Sequence, residues 1–141
     1  MRKVKVLPFL MLATLAATPA VAQQAGVFVK TGESVVFRLD HGQPVDVHPA
    51  TGADKPAAGE IRVDLRYASG ATTMVVANNS GGFLNYRAFI ARDADSAGKA
   101  TSVCTLMDGG RFAVENWPGQ PFPGIRLTDF TPATQDSMVC Q

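Results

Sequence analysis

Few residues in this chain have the type and spacing to do chemistry. His41 and His48 are the only histidines, and they lie in HGQPVDVH with Asp40 and Asp46 beside them. Two imidazoles on either side of a hairpin can hold copper or zinc. Met74, Met107 and Met138 would add the thioethers of an exported copper carrier. A seven-residue offset nevertheless puts the two rings on opposite faces of a straight strand, and the methionines sit in runs that read as core. The competing reading is a pair of exposed loop histidines. No metal is assigned.

Other catalytic patterns are weaker. Asp93-Ala94-Asp95-Ser96-Ala97-Gly98 opens like a calcium loop. Ala97 then fills a ligand position, and Cys104 stands where a bidentate Glu is needed, so the segment reads as a solvated turn. No serine lies in G-x-S-x-G, and a chain of strands lacks the strand–turn–helix elbow that motif requires. The 12 acidic residues contain no pair that stands out for glycoside chemistry. The sequence therefore assigns no catalytic residue and no cofactor.

Trp117-Pro118-Gly119-Gln120-Pro121-Phe122-Pro123-Gly124 is the most unusual segment. It gathers the only Trp, a Phe and three prolines into one loop. A stiff loop presenting Trp117, Pro118 and Phe122 can recognise a partner at low entropic cost. Folded back, the same aromatics would plug one end of the fold. Both readings stay open at this level.

These residues must be carried by strands. Ile61, Val63, Leu65 and Tyr67 alternate with Glu60, Arg62, Asp64 and Arg66, a period of two with one buried and one wet face. The same period is weaker at Val35–Leu39, Leu84–Ile90, Ser102–Leu106, Phe112–Asn116 and Ile125–Leu127. Thr72–Ala77 is uniformly apolar and reads as a central strand. Val75 and Ile90 are expected in the core with Ile61, Val63, Leu65, Tyr67, Leu84 and Tyr86. Ser69-Gly70, Asn79-Ser80-Gly81-Gly82 and Asp108-Gly109-Gly110 separate neighbouring runs, so each pair is expected to form an antiparallel hairpin. Residues 49–59 and 93–100 read as longer loops, and no helical period exceeds two turns. The expectation is an all-β antiparallel sandwich of about seven to nine short strands, with a barrel as the alternative.

The first 22 residues read as an export signal. Arg2, Lys3 and Lys5 precede an apolar run from Val6 to Ala17, and Ala20-Val21-Ala22 is a small-x-small cleavage site. The run is shorter than the roughly 20 residues of a membrane span. Residues 23–141 would then form one domain with no membrane span, periplasmic or extracellular. Removing those three cations leaves 10 Lys and Arg against 12 Asp and Glu, a net charge of −2. That charge gives no footprint for nucleic acid or an anionic membrane. In such a compartment Cys104 and Cys140, the only cysteines, should form one disulfide.

The stretch MVVANNSGGFLNYRAFI, from Met74 to Ile90, resembles immunoglobulin-like sandwiches of exported bacterial proteins. LNYRAFI, TSVC and ENWP together are similar to uncharacterised members of that group. The resemblance implies the architecture and no activity. Cys104 and Trp117 have the spacing of an antibody-type domain, but Cys140 follows too soon for the central inter-sheet bridge of that family. The functional expectation is a non-catalytic exported β-sandwich that binds or supports a protein or cell-envelope component. The alternatives are a copper- or zinc-binding protein using His41 and His48, and a small secreted hydrolase or inhibitor of an extracellular enzyme.

Overall fold

Alternation along Glu60–Ala68 gives the plainest strand. Ile61, Val63 and Leu65 are fully buried, while Glu60, Arg62 and Asp64 are half-buried on the other face. The computed structural model describes residues 24–141, so the expected export signal and its expected cleavage boundary lie outside the described residues. Nine strands follow in order: β1 (Val27–Lys30), β2 (Ser34–Asp40), β3 (Gln43–Pro49), β4 (Glu60–Ala68), β5 (Ala71–Asn79), β6 (Phe83–Ala91), β7 (Lys99–Thr101), β8 (Arg111–Pro118) and β9 (Gly124–Ala133). A single 3-10 turn, Gln135–Ser137, is the only helical element among the described residues.

The strands form two antiparallel sheets, β1-β9-β6-β7 and β3-β2-β4-β5-β8. Phe37, Ile61, Leu65 and Met74 from the larger sheet pack on Val29, Ile125 and Leu127 from the smaller, all at 0% exposure. This is the expected all-β sandwich, and a single disulfide joins Cys104 to Cys140. That bridge lies between adjacent antiparallel segments rather than between the sheets. Val103 and Gln141 exchange backbone hydrogen bonds on one side of it, and the Thr105 N–H donates to the Val139 carbonyl on the other. The chain end is thereby laid along the outer edge of residues 103–105.

Two expected hairpins are not hairpins. β5 and β6 lie in different sheets, as do the segment containing β7 and strand β8. Both connections arch across the sandwich. The Asn78 side chain donates to the Gly82 carbonyl and accepts the Ser80 N–H, bracing the first arch from within. Asp108 of the second arch accepts the Gly81 N–H of the first at 3.0 Å. Turn residues mark where the chain reverses; they do not say whether it returns to the same sheet. By contrast β4 and β5 form the expected hairpin, with Ser69 at φ 53 and Gly70 at φ 76.

Three core assignments shift. Tyr67 is 47% exposed, because the loop after β8 closes over its partner Thr72 and leaves Tyr67 outside. Val75 is half-buried while Met74 and Val76 are buried, since a uniformly apolar run carries no parity to read. Ile90 is half-buried at the core's margin. In residues 102–106 the inward positions are Val103, Thr105 and Leu106, not the alternation of Ser102, Cys104 and Leu106, because the segment changes partner between Cys104, which bridges to Cys140, and Leu106, which bridges to Leu84.

Candidate functional site

The loop that follows β8 is anchored at several points. The Gly119 N–H donates to the Gly70 carbonyl at 2.7 Å. Thr72 Oγ1 donates to the Gln120 carbonyl and Thr31 Oγ1 to the Phe122 carbonyl, each at 2.6 Å. The Thr31 N–H donates to the Pro123 carbonyl at 2.9 Å. A proline-rich loop cannot satisfy itself with its own N–H groups, so threonines from β5 and the β1–β2 turn satisfy its carbonyls.

This anchoring sets the aromatics. Trp117 is 8% exposed, and its indole N–H donates to Thr101 Oγ1 at 2.8 Å. Phe122 stands edge-on to it, with ring centroids 5.4 Å apart and planes at 78°, an attractive aromatic geometry. Trp117 thus plugs the space between the sheets at this end. Pro118 is exposed and closes β8. In front of the pair lies an open cleft of about 650 Å³, lined by Lys99, Thr101, Ser102, Gln120, Pro121 and the two rings. It combines one cation, hydroxyls and an amide with an aromatic wall.

The histidines are not brought together. His41 sits in the β2–β3 turn at φ 48, 95% exposed by side chain, with Nδ1 2.7 Å from Asp40 Oδ1. Gly42 beside it has its backbone against the Phe130 carbonyl, where a Cβ would lie 2.5 Å from the oxygen. His48 is near the far end of β3, opposite Val36, and its Nδ1–H donates to the Asp46 carbonyl at 2.8 Å. Strand rise separates the two by about 17 Å. Met74 is fully buried and Met138 is exposed. Among the described residues no cluster of three or more His, Cys, Asp or Glu is set to hold a metal.

Asp93 caps its own turn. Its Oδ1 accepts the Asp95 N–H, the Ser96 N–H and the Ser96 hydroxyl. The Ser96 hydroxyl and the Arg92 guanidinium hold its carboxyl below the usual carboxylate range.

Sequence reasoning missed three polar features. Arg126, expected on a wet face, is 4% exposed. Its guanidinium donates to the Ser96 and Ala97 carbonyls and lies 5.3 Å from the Phe89 ring centroid. The Asp64 carboxylate takes paired bonds of 2.9 Å from Arg62 and a further bond from the Ser34 hydroxyl. Burial raises its pKa, but these bonds outweigh burial and hold the carboxyl below its usual value. The Tyr86 hydroxyl is buried with no hydrogen-bond partner among the described residues. Burial, and then the charge of Glu115, pushes that phenol upward, so it stays protonated.

A second cavity, about 620 Å³ and mostly apolar, opens at the opposite end between Leu39, His41, Leu84, Phe130 and Pro132. No protein-family model, no curated protein and no solved structure matches this chain.

Proposed function

We propose that the chain is a non-catalytic exported β-sandwich that binds a protein of the cell envelope in the cleft beside Trp117. The occupant is an extended segment carrying an apolar side chain next to a carboxylate. One observation carries the reading: the cleft wall is ordered before any partner arrives, because Thr31, Thr72 and Gly70 already anchor the loop. Binding then costs little loop ordering.

Charge decides the partner's chemistry. Lys99 is exposed at the rim and makes no ion pair among the described residues. A carboxylate from the partner would meet it, while the apolar side chain lies on Phe122 and Pro121. The hydroxyls of Thr101 and Ser102 and the Gln120 amide would serve the partner's backbone. Export is supported by the disulfide, and no helix among the described residues is long and apolar enough to cross a membrane.

Random peptides displayed on phage and selected against the oxidised protein test this reading. Enriched peptides should pair Asp or Glu with an apolar neighbour and perturb the fluorescence of the only Trp. Lys99→Glu should weaken them about tenfold, as loss of a charge pair does. Peptides that bind Lys99→Glu as well as wild type, or that leave Trp117 emission unchanged, would overturn it. Export itself is tested by mass spectrometry: the exported pool should begin at Gln23, and an intact Met1 there would refute it.

A further inference from the structure

Among the described residues, three of the four sheet edges are guarded and one is not. β1 has only 4 residues. β7 has 3, and the chain end covers the segment after it. β3 carries Pro44 and Pro49, has Asp46 at φ 53, and is offset by a bulge between Val36 and Arg38. Such devices keep edges from pairing with other chains. β8 has none of these, and its only charges are Arg111 and the inward-facing Glu115. It runs 8 residues in regular register, is paired only to β5, and has proline only at its last position.

The phase of the ladder says which groups are open. The Gly119 N–H bonds to the Gly70 carbonyl, so Trp117, Glu115, Ala113 and Arg111 turn their peptide groups toward β5. Phe112, Val114 and Asn116 present theirs to the open edge. Their side chains share the outer face, where Phe112 is 56% and Val114 61% exposed. These are the two most exposed large apolar residues described, and neither is flanked by a charge on that face of β8.

We infer that this edge pairs antiparallel with β8 of a second copy of the chain, about a twofold axis at Ala113. The run Arg111-Phe112-Ala113-Val114-Glu115 is complementary to itself in that register. Phe112 comes opposite the partner's Val114, and Arg111 opposite the partner's Glu115, each twice by symmetry. The open N–H and C=O groups of Phe112 and Val114 then satisfy one another. Glu115 Oε1 already accepts the Cys104 N–H at 2.8 Å, which leaves Oε2 for the guanidinium. Moving the axis to Val114 would set Phe112 against Asn116 and Arg111 against Trp117, losing both matches. Pairing consumes the one unguarded edge, so assembly closes at two copies.

Sedimentation of the oxidised protein over a range of concentrations tests this. The expected result is a monomer–dimer equilibrium. Val114→Lys should raise the dissociation constant about tenfold or more, with the unfolding midpoint unchanged at concentrations where both proteins are monomeric. Arg111→Glu and Glu115→Arg chains should each associate weakly alone and form a heterodimer when mixed, because the swapped charges again match. A wild type that stays monomeric, a mixture no tighter than its components, or open-ended aggregation would overturn the inference. If Glu115→Arg fails to fold for want of the Cys104 contact, the Val114→Lys comparison decides alone.

Discussion

Trp117 donates its indole N–H to the Thr101 hydroxyl at 2.8 Å, and this bond ties β8 of the five-stranded sheet to β7 of the four-stranded sheet. The ring also receives the edge of Phe122. One side chain therefore fills space, satisfies its polar atom and backs the proposed cleft. A buried indole with a partner is a structural element first, and the loop around it inherits that rigidity.

Trp117→Ala is expected to cost roughly 3–5 kcal/mol, as large-to-small core changes do. Trp117→Phe keeps most of the volume but leaves Thr101 without its donor, so about 1 kcal/mol of hydrogen-bond energy is added to a smaller packing loss. Urea unfolding of the two variants separates the contributions. A Trp117→Ala protein as stable as wild type would show that the ring is not a plug.

Reducing the disulfide should lower stability by roughly 3–4 kcal/mol on the chain-entropy model, given the 36-residue separation of Cys104 and Cys140. The loss should be local in its first effects. The amides of Val103 and Gln141 bond across to each other's carbonyls, so hydrogen exchange there should approach the unprotected rate on reduction, while Val63 and Leu65 should accelerate only by the factor that the global loss sets. Exchange at Val103 and Gln141 that stays as slow as at Val63 and Leu65 after reduction would contradict the picture of a stapled edge.

What the sequence revealed tracks how each strand meets water. β4 has one wet and one dry face, so its parity was legible residue by residue up to Tyr67. β5 is apolar on both faces, with Val75 and Ala77 on one and Met74 and Val76 on the other, and its parity was lost. β8 inverts the rule: Ala113, Glu115 and Trp117 face inward while Phe112 and Val114 face out. Composition says which residues prefer burial, but sheet edges and arches decide which receive it. The loop at 117–124 stood out by its aromatics and prolines, whereas Lys99, the cation facing it, had no local signal at all. The two lie far apart in sequence and meet only because β7 and β8 close one side of the sandwich.

The Arg62–Asp64–Ser34 cluster should make stability sensitive to acid. Burial raises the Asp64 pKa, but the bonds from Arg62 and Ser34 bring it below the ordinary value. A lowered folded value means the contribution is fully present above the ordinary carboxylate pKa of about 4. It is lost as pH falls through the lowered folded value. Wild type should therefore exceed Asp64→Asn in stability by a constant margin near neutrality, and the margin should shrink below about pH 4. Thermal melts of both proteins from pH 7 to pH 2 would check it, and a margin that does not change would refute the assignment.

Arg126 offers the sharpest separation of charge from shape. Its neighbours supply carbonyl oxygens from Ser96 and Ala97 and the face of Phe89, with no carboxylate directly bonded to it. A planar fork spreads its donors in fixed directions toward two carbonyls while its face lies near the ring, whereas the compact ammonium of Lys concentrates its donors at one point. Arg126→Lys keeps the charge and is still expected to cost about 1–2 kcal/mol, the scale of a lost hydrogen bond to a charged group. The loop at 93–98 should loosen with it, because Arg126 holds the Ser96 and Ala97 carbonyls while Asp93 holds the Asp95 and Ser96 N–H groups. Faster amide exchange at Ser96 together with the lower unfolding midpoint would support this role. A Lys variant with wild-type stability and unchanged exchange would mean that the charge suffices and the fork geometry does not matter.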